Sequence, residues 1–326
     1  MFLTQEKKTP LHLPQKKKKV IVISGPTASG KTALSLILSK ALNGEIISCD
    51  SVQIYRGMDI GTAKVPVSIQ KEVPHHMIDI RDVDQSFNVV NFYEEAMIAF
   101  NDIIARGKTP IIVGGTAFYI HTILYGPPKG PPSDPEIREQ LEADYEKFGP
   151  EMLYQKLKEL DPDHAASITM LDRQKIIRSL EIIAISGMKV SEIPKPSLED
   201  VPQEYDFRCW FTYYPRELLY PRIEERCDQM IKEGLIEEVL QLIPKGIYEN
   251  SSAARAIGYR QVLDYLQTAQ GPEDWENFVR TFKKASRNFA KRQFTWFRKE
   301  PLFHWLDLSL YTVDQASQII MADYER

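Results

Sequence analysis

The stretch from Gly25 to Thr32 reads GPTASGKT, a run of the form G-x-x-x-x-G-K-[ST] in which each fixed position has a chemical task. Gly25 and Gly30 let the chain turn tightly, so that backbone N–H groups point inward at an anion. Lys31 reaches outer phosphate oxygens, and the hydroxyl of Thr32 is placed for Mg²⁺. Gly25, Pro26, Thr27, Ala28, Ser29, Gly30, Lys31 and Thr32 are therefore expected to cradle a polyphosphate or a diphosphate. The pattern also serves ATP, so the loop alone does not separate a nucleotide from another diphosphate. Two further stretches supply candidates. Asp50 ends the run EIISCD, and the carboxyl end of a strand is where open α/β sheets bind ligands. A carboxylate there could ligate Mg²⁺, act as a general base, or cap the loop that follows. In GGTAFY, Gly114 to Tyr119, two glycines allow a ligand to approach the backbone, with Thr116 able to hydrogen-bond it.

These residues need a scaffold. KKVIVIS, Lys18 to Ser24, reads as a short buried strand, and TALSLILSKAL, Thr32 to Leu42, as a helix whose amino end adds partial positive charge at the anion site. Strand and helix patterns alternate through the first 125 or so residues, with further strands at Glu45 to Asp50 and Pro110 to Thr116. That alternation predicts an α/β fold with a parallel sheet covered by helices. YGPPKGPPSDP, Tyr125 to Pro135, cannot continue a helix or a central strand. A second break at Ile193 to Pro202 precedes DFRCWFTYY, Asp206 to Tyr214, which reads as a strand returning to the sheet. The expected organisation is a loose tail over 1–17, a first part of the core over 18–125, a mainly helical insertion over 126–204, and a continuation of the core over 205–326.

Charge divides unevenly along the chain. Ser133 to Ala165 holds ten acidic and four basic residues, whereas Thr281 to Glu300 holds seven Lys or Arg against one Glu. Phe282, Phe289, Phe294, Trp296 and Phe297 are interleaved with those bases. Such a helix either packs its aromatics on a core with its bases in water, or meets an RNA backbone and unstacked bases. The whole chain, with 326 residues and a net charge of −4, has no global basicity. Cys49, Cys209 and Cys227 are widely spaced, which argues against structural zinc or a disulfide framework and favours a reducing cytoplasm. No apolar run reaches the ~18 residues that a membrane span needs. The six histidines, with the pair His75–His76, show no metal or triad spacing and are read as structural.

From Val20 to about Trp305 the chain resembles the bacterial tRNA dimethylallyltransferases, also called tRNA isopentenyltransferases or IPP transferases. The resemblance rests on seven blocks in order: GPTASGKT, SCDSVQIYRGMDIGTAK, GGTAFYIHTILYG, DRQKIIRSLEI, RIEERCDQMIKEGLIEEVLQL, RAIGYRQ and AKRQFTWFR. It implies a P-loop NTPase-like parallel sheet core with an inserted helical domain. It also implies prenyl transfer from dimethylallyl diphosphate to N6 of the adenosine just 3′ of the tRNA anticodon, with release of pyrophosphate. Asp50 then matches the family's general base, Thr27 the residue near the bridging oxygen, and Lys31 and Arg226 the cations on the diphosphate, with Mg²⁺ on Thr32. Helical spacing alone leaves Arg226 equally readable as a solvated charge. The tRNA contacts map onto Asp50, Ser51, Val52, Gln53, Thr116 and Arg138, and onto Gln174, Lys175, Ile176, Ile177 and Arg178, where helical spacing also lets Ile176 and Ile177 face a core. They continue on Arg255, Gly258, Tyr259 and Arg260, then in the stretch Ala285 to Arg292, with Arg287, Lys291 and Arg292. The expected partners are the anticodon stem-loop of tRNA and dimethylallyl diphosphate, with no membrane, for a cytoplasmic monomer.

Two departures stand out. Ala117 and Phe118 replace the usual Gly-Leu after the Gly-Gly-Thr, and Lys175 replaces an arginine, losing a planar bidentate donor. Rival classes are a small-molecule phosphate-loop kinase, a prenyltransferase of free adenine nucleotides, and a non-catalytic RNA-binding module. The first two have no need of the basic helix, and the third has none of Lys31, Thr32 and Asp50 together.

Overall fold

The computed structural model describes residues 17–326, so all but the last residue of the expected tail lies outside it. The chain forms two compact units, residues 17–124 with 201–326, and residues 125–200. The first begins β1 (Lys18–Ser24), α1 (Lys31–Ala41), β2 (Gly44–Cys49), α2 (Val67–Glu72), β3 (His75–His76), α3 (Val89–Ala105), β4 (Thr109–Gly114) and α4 (Ala117–Tyr125). Val20, Ile21, Val22 and Ile23 of β1 are all fully buried. A strand with both faces covered reads as a continuous apolar run, as this one does. On one face Ile21, Ile23, Ile46 and Ile111 pack with Leu34 and Leu38 of α1. Each such side chain contributes about 1.5–3 kcal/mol on burial. The alternate residues Val20, Val22, Ile47 and Ile112 point to the opposite face and are equally buried. Helix α3 packs against β2 and β4 and buries Phe92, Ala96, Phe100 and Ile103 at helical spacing.

The second unit holds α5 (Pro135–Leu160), α6 (Pro162–Ser167) and α7 (Arg173–Ser186). Asp134 caps α5 by accepting from the N–H groups of Glu136 and Ile137. The helix kinks at Gly149, whose φ of 82° precedes Pro150. Leu141, Leu153, Leu157, Ile176, Ile177 and Leu180 form the core of this unit.

The chain returns to the first unit as β5 (Tyr205–Tyr213), followed by α8 (Arg216–Lys232), α9 (Leu235–Leu242), α10 (Ser251–Ala254), α11 (Tyr259–Leu266), α12 (Pro272–Phe297), β6 (Phe303–Asp307) and α13 (Val313–Glu325). The six strands are parallel throughout, in the order β3-β2-β4-β1-β5-β6. The expected parallel α/β sheet with an inserted helical segment is what the chain forms. Sequence periodicity did not suggest β6 and α13. Helix α12 also starts at Pro272, ahead of the basic stretch, where Gly271 donates its N–H to Asp274. No described helix is long and apolar enough to cross a membrane.

Register does most to build the site. Ser24 pairs with Gly114, and Gly114 with Cys49. The carboxyl ends of β1, β4 and β2 therefore lie level. Gly25, Gly115 and Asp50 leave the sheet side by side.

Candidate active site

The loop from Gly25 to Thr32 leaves β1 and ends in the first turn of α1. A Cβ on Gly25 would stand 2.1 Å from the Thr212 carbonyl oxygen of β5, so only glycine fits where the loop presses on the sheet. The Lys31 ammonium donates to the carbonyls of Gly25 at 2.9 Å and Pro26 at 2.7 Å. Burial pushes that ammonium down to about 7, the nearby Arg226 guanidinium adds to the fall, and Asp50 opposes it. Burial likewise lowers Arg226. Two half-buried cations held this close, with Asp50 as the one carboxylate acting on both, are a site short of negative charge. The hydroxyl of Ser29 is buried without a hydrogen-bond partner among the described residues. Arg222 donates to the Ala28 carbonyl and lies over the Tyr214 ring.

Across from the loop, one oxygen of Asp50, Oδ1, accepts from the N–H groups of Val52 at 2.9 Å and Gln53 at 3.2 Å. The capping role is therefore real, and it occupies only Oδ1. The Thr116 hydroxyl accepts from the Ser51 N–H at 3.0 Å, and the Thr116 N–H donates to Cys49. The side chain of Gln53 is engaged at both ends, with Ser48 and with the Thr62 carbonyl. Thr32 is exposed at the first turn of α1, and its hydroxyl has no hydrogen bond among the described residues. The described residues hold no cluster of three or more His, Cys, Asp or Glu able to cage a metal. The exposed Thr32 hydroxyl is a single oxygen donor of the kind that Mg²⁺ takes when it keeps several waters beside phosphate oxygens.

The other RNA candidates fall into two groups. Arg255, Arg260, Lys291 and Arg292 are exposed on the first unit, and Gln174 and Lys175 on the second. Lys291 and Arg292 line a groove of about 650 Å³ with Asn288, Thr295, Trp296 and Lys299. Arg287 is tied to Glu224 of α8. Arg138 and Arg178 both pair with Glu181, a fully buried carboxylate. Four of the expected RNA-contact positions are buried. Ile176 and Ile177 are fully buried in the core of their unit, because the apolar stripe of α7 includes both. The Tyr259 ring is also fully buried, and Gly258 behind it lies under Phe282. The Tyr259 hydroxyl donates to Glu238 at 2.5 Å, and the same carboxylate accepts from the N–H groups of Asp59, Ile60 and Gly61. Tyr259 therefore braces the Asp59–Gly61 loop.

Sequence reasoning passed over two polar residues, Glu238 and Gln293. Gln293 accepts from the Thr27 N–H at 3.0 Å and donates to the Gly115 carbonyl at 2.9 Å. The available signal was a polar residue on the apolar stripe of α12, between Ala290 and Phe297.

A parallel sheet whose first strand ends in this loop, with a carboxylate on the neighbouring loop, defines a phosphate-loop α/β protein. The chain belongs to the IPP transferase family, whose model matches residues 53–300. The match begins after the phosphate loop and Asp50. The chain is 52% identical over 323 residues to a tRNA dimethylallyltransferase of Protochlamydia amoebophila, covering 99% of this chain and 94% of that relative. It is similar in structure to the full-length tRNA isopentenylpyrophosphate transferase of Bacillus halodurans, with a TM-score of 0.68 and 38% identity over 95% of this chain and 97% of that one. A eukaryotic dimethylallyltransferase acting on tRNA superposes with a TM-score of 0.77 at 30% identity, over 94% of this chain and 78% of that one.

Proposed function

We propose that this chain transfers the dimethylallyl group of dimethylallyl diphosphate to N6 of the adenosine 3′-adjacent to the anticodon of tRNA, releasing pyrophosphate. The observation that carries the reading is the loop closed by Lys31 at the end of β1, level with Asp50 at the end of β2, with Arg226 in electrostatic reach of both. The near-full-length relatives named for this activity support it. In the reaction the N6–C1 bond forms as the C1–O bond breaks, and pyrophosphate leaves with the bonding electrons. Lys31, Arg226 and the loop amides meet the charge that grows on the leaving oxygens, an effect commonly among the largest in catalysis. Asp50 takes the N6 proton on Oδ2, while Oδ1 stays on the loop amides. Thr27 stands near the bridging oxygen. Bound through Thr32, Mg²⁺ would supply Lewis-acid neutralisation of the diphosphate.

The tRNA side of the reading rests on the exposed bases of α12, with Arg255 and Arg260. Gln174, Lys175, Arg138 and Arg178 belong to the same proposal on the second unit. Three free, buried cysteines fit a reducing cytoplasm, and the protein is expected to act there as a monomer. The test is incubation with dimethylallyl diphosphate, Mg²⁺ and unmodified tRNA, followed by mass analysis of the nucleosides. A dimethylallyl adduct on the adenosine after the anticodon is expected. Its absence, with folded protein and intact tRNA, overturns the reading.

A further inference from the structure

Gln293 is 3% exposed, and both ends of its amide are used, one toward each side of the site. The other side-chain hydrogen bonds that leave α12, at Lys283, Ser286 and Arg287, go to α8 among the described residues. Among the described residues, Gln293 is the one side chain of this helix that hydrogen-bonds the phosphate loop and the exit of β4. The fit is close. A Cβ on Gly115 would meet Nε2 of Gln293 at 2.3 Å, and the nearest atom outside Gln293 is the Gly25 carbonyl oxygen at 3.9 Å. From Gly115 the backbone passes to Thr116, whose hydroxyl holds the N–H of Ser51 beside Asp50. One side chain therefore stands between the residue near the leaving oxygen and the loop that carries the base.

We propose that Gln293 is a positioning residue, which fixes the donor loop at Thr27 against the acceptor-side loop at Gly115–Thr116 and anchors both to the basic helix. It rests on the prenyl-transfer reading above. It touches neither substrate in this role. It sets the separation across which N6 approaches C1, where a misplacement of about 1 Å lowers a rate by about 10²-fold. A buried glutamine that merely satisfied its own amide would affect folding stability and leave the chemical step alone.

The experiment uses the full chain, with single-turnover prenylation of tRNA at saturating dimethylallyl diphosphate, tRNA affinity measured separately, and thermal melting. Gln293→Met keeps the volume and removes both hydrogen bonds. It is expected to slow the single-turnover step by about 10–100-fold while tRNA affinity stays within about 3-fold. Gln293→Glu retains an acceptor for the Thr27 N–H, loses the donor to Gly115, and should fall between. Gly115→Ala drives a methyl into Nε2 and should slow the step in the wild-type background. In a Gln293→Ala background the same change has room, so the double variant should be no slower than Gln293→Ala alone. A wild-type single-turnover rate for Gln293→Met overturns the proposal, and so do independent, multiplicative losses for Gly115→Ala and Gln293→Ala. Should Gln293→Met fail to fold, Gln293→Glu and the Gly115 pair decide in its place. Wild-type protein that prenylates no tRNA defeats the parent reading, whereas an active wild type with indifferent Gln293 variants defeats this one only.

Discussion

In the proposed reaction Asp50 has two tasks on one carboxylate. Oδ1 caps the loop through the N–H groups of Val52 and Gln53, and Oδ2 is left for the N6 proton. Replacement by Asn separates them, since the amide oxygen still caps the loop but takes no proton. Asp50→Asn is expected to hold tRNA affinity within a few-fold and to lower the single-turnover rate by about 10²–10⁴-fold, the range for a lost general base. A wild-type rate would leave Asp50 as a loop cap only. The residues proposed to meet phosphate were legible because such a ligand imposes their spacing. Lys31 and Thr32 follow Gly30 at fixed positions whatever the fold around them. For Tyr259, Ile176 and Ile177 the resemblance block marks a region and does not say which side chains face outward. Glu238 and Gln293 stayed hidden because their partners are backbone groups distant in sequence, at Asp59–Gly61, Thr27 and Gly115.

Among the elements, β2 and α12 show how charge is placed. Glu45, the second residue of β2, has its side chain 3% exposed, and it accepts from Arg106, Lys108 and His76. The Arg106 guanidinium, first among these, holds the Glu45 carboxyl well below the usual carboxylate range. A depressed carboxyl contributes stability that is present above its unfolded value, near pH 4.3, and is lost as pH falls toward the folded value. Glu45→Gln is therefore expected to destabilise by about 2–4 kcal/mol at neutral pH, and the gap to wild type should narrow steadily below about pH 4. Denaturant titrations across that range measure it, and a constant gap would remove the ionic explanation. His76, read from sequence as structural, belongs to this cluster and to edge strand β3. On α12, Lys291 and Arg292 are exposed, while Arg287 already has Glu224. Replacing Lys291 and Arg292 by Gln should flatten the slope of log K for tRNA against log salt by somewhat under two units if both meet phosphate. Arg287→Gln should change that slope less. An unchanged slope in the double variant returns the helix to a solvated surface. The strands of the core were legible from their apolar runs, β1 being residue for residue as expected. β6 was not, because FHWLD at the edge of the sheet buries only its first and fourth residues, so a period of two is missing from a run this short.

At the scale of the whole molecule, the parallel sheet places an anion site and a basic helix in one unit, and that combination separates prenyl transfer to RNA from phosphoryl transfer. A kinase needs the γ-phosphate of ATP in the loop and an acceptor small enough to reach it. A prenyl diphosphate in the same loop leaves as pyrophosphate, and the chain's own cations need only meet its two phosphates. Turnover is therefore expected with no ATP present, to require Mg²⁺, and to be inhibited by pyrophosphate in competition with dimethylallyl diphosphate. Lys31→Ala should lower the chemical step more than donor binding, because the charge Lys31 meets grows as the C1–O bond breaks. The acceptor should be tRNA or its anticodon stem-loop in strong preference to AMP or ADP, since the exposed bases of α12 have no use for a free nucleotide. Initial-rate assays with each acceptor, with and without ATP, measure all of this on one preparation. Equal rates on AMP would move the chain to the nucleotide-prenylating class. A requirement for ATP, or transfer of a labelled γ-phosphate to a small acceptor at a rate matching prenyl transfer, would replace the prenyl diphosphate in the loop by a nucleotide.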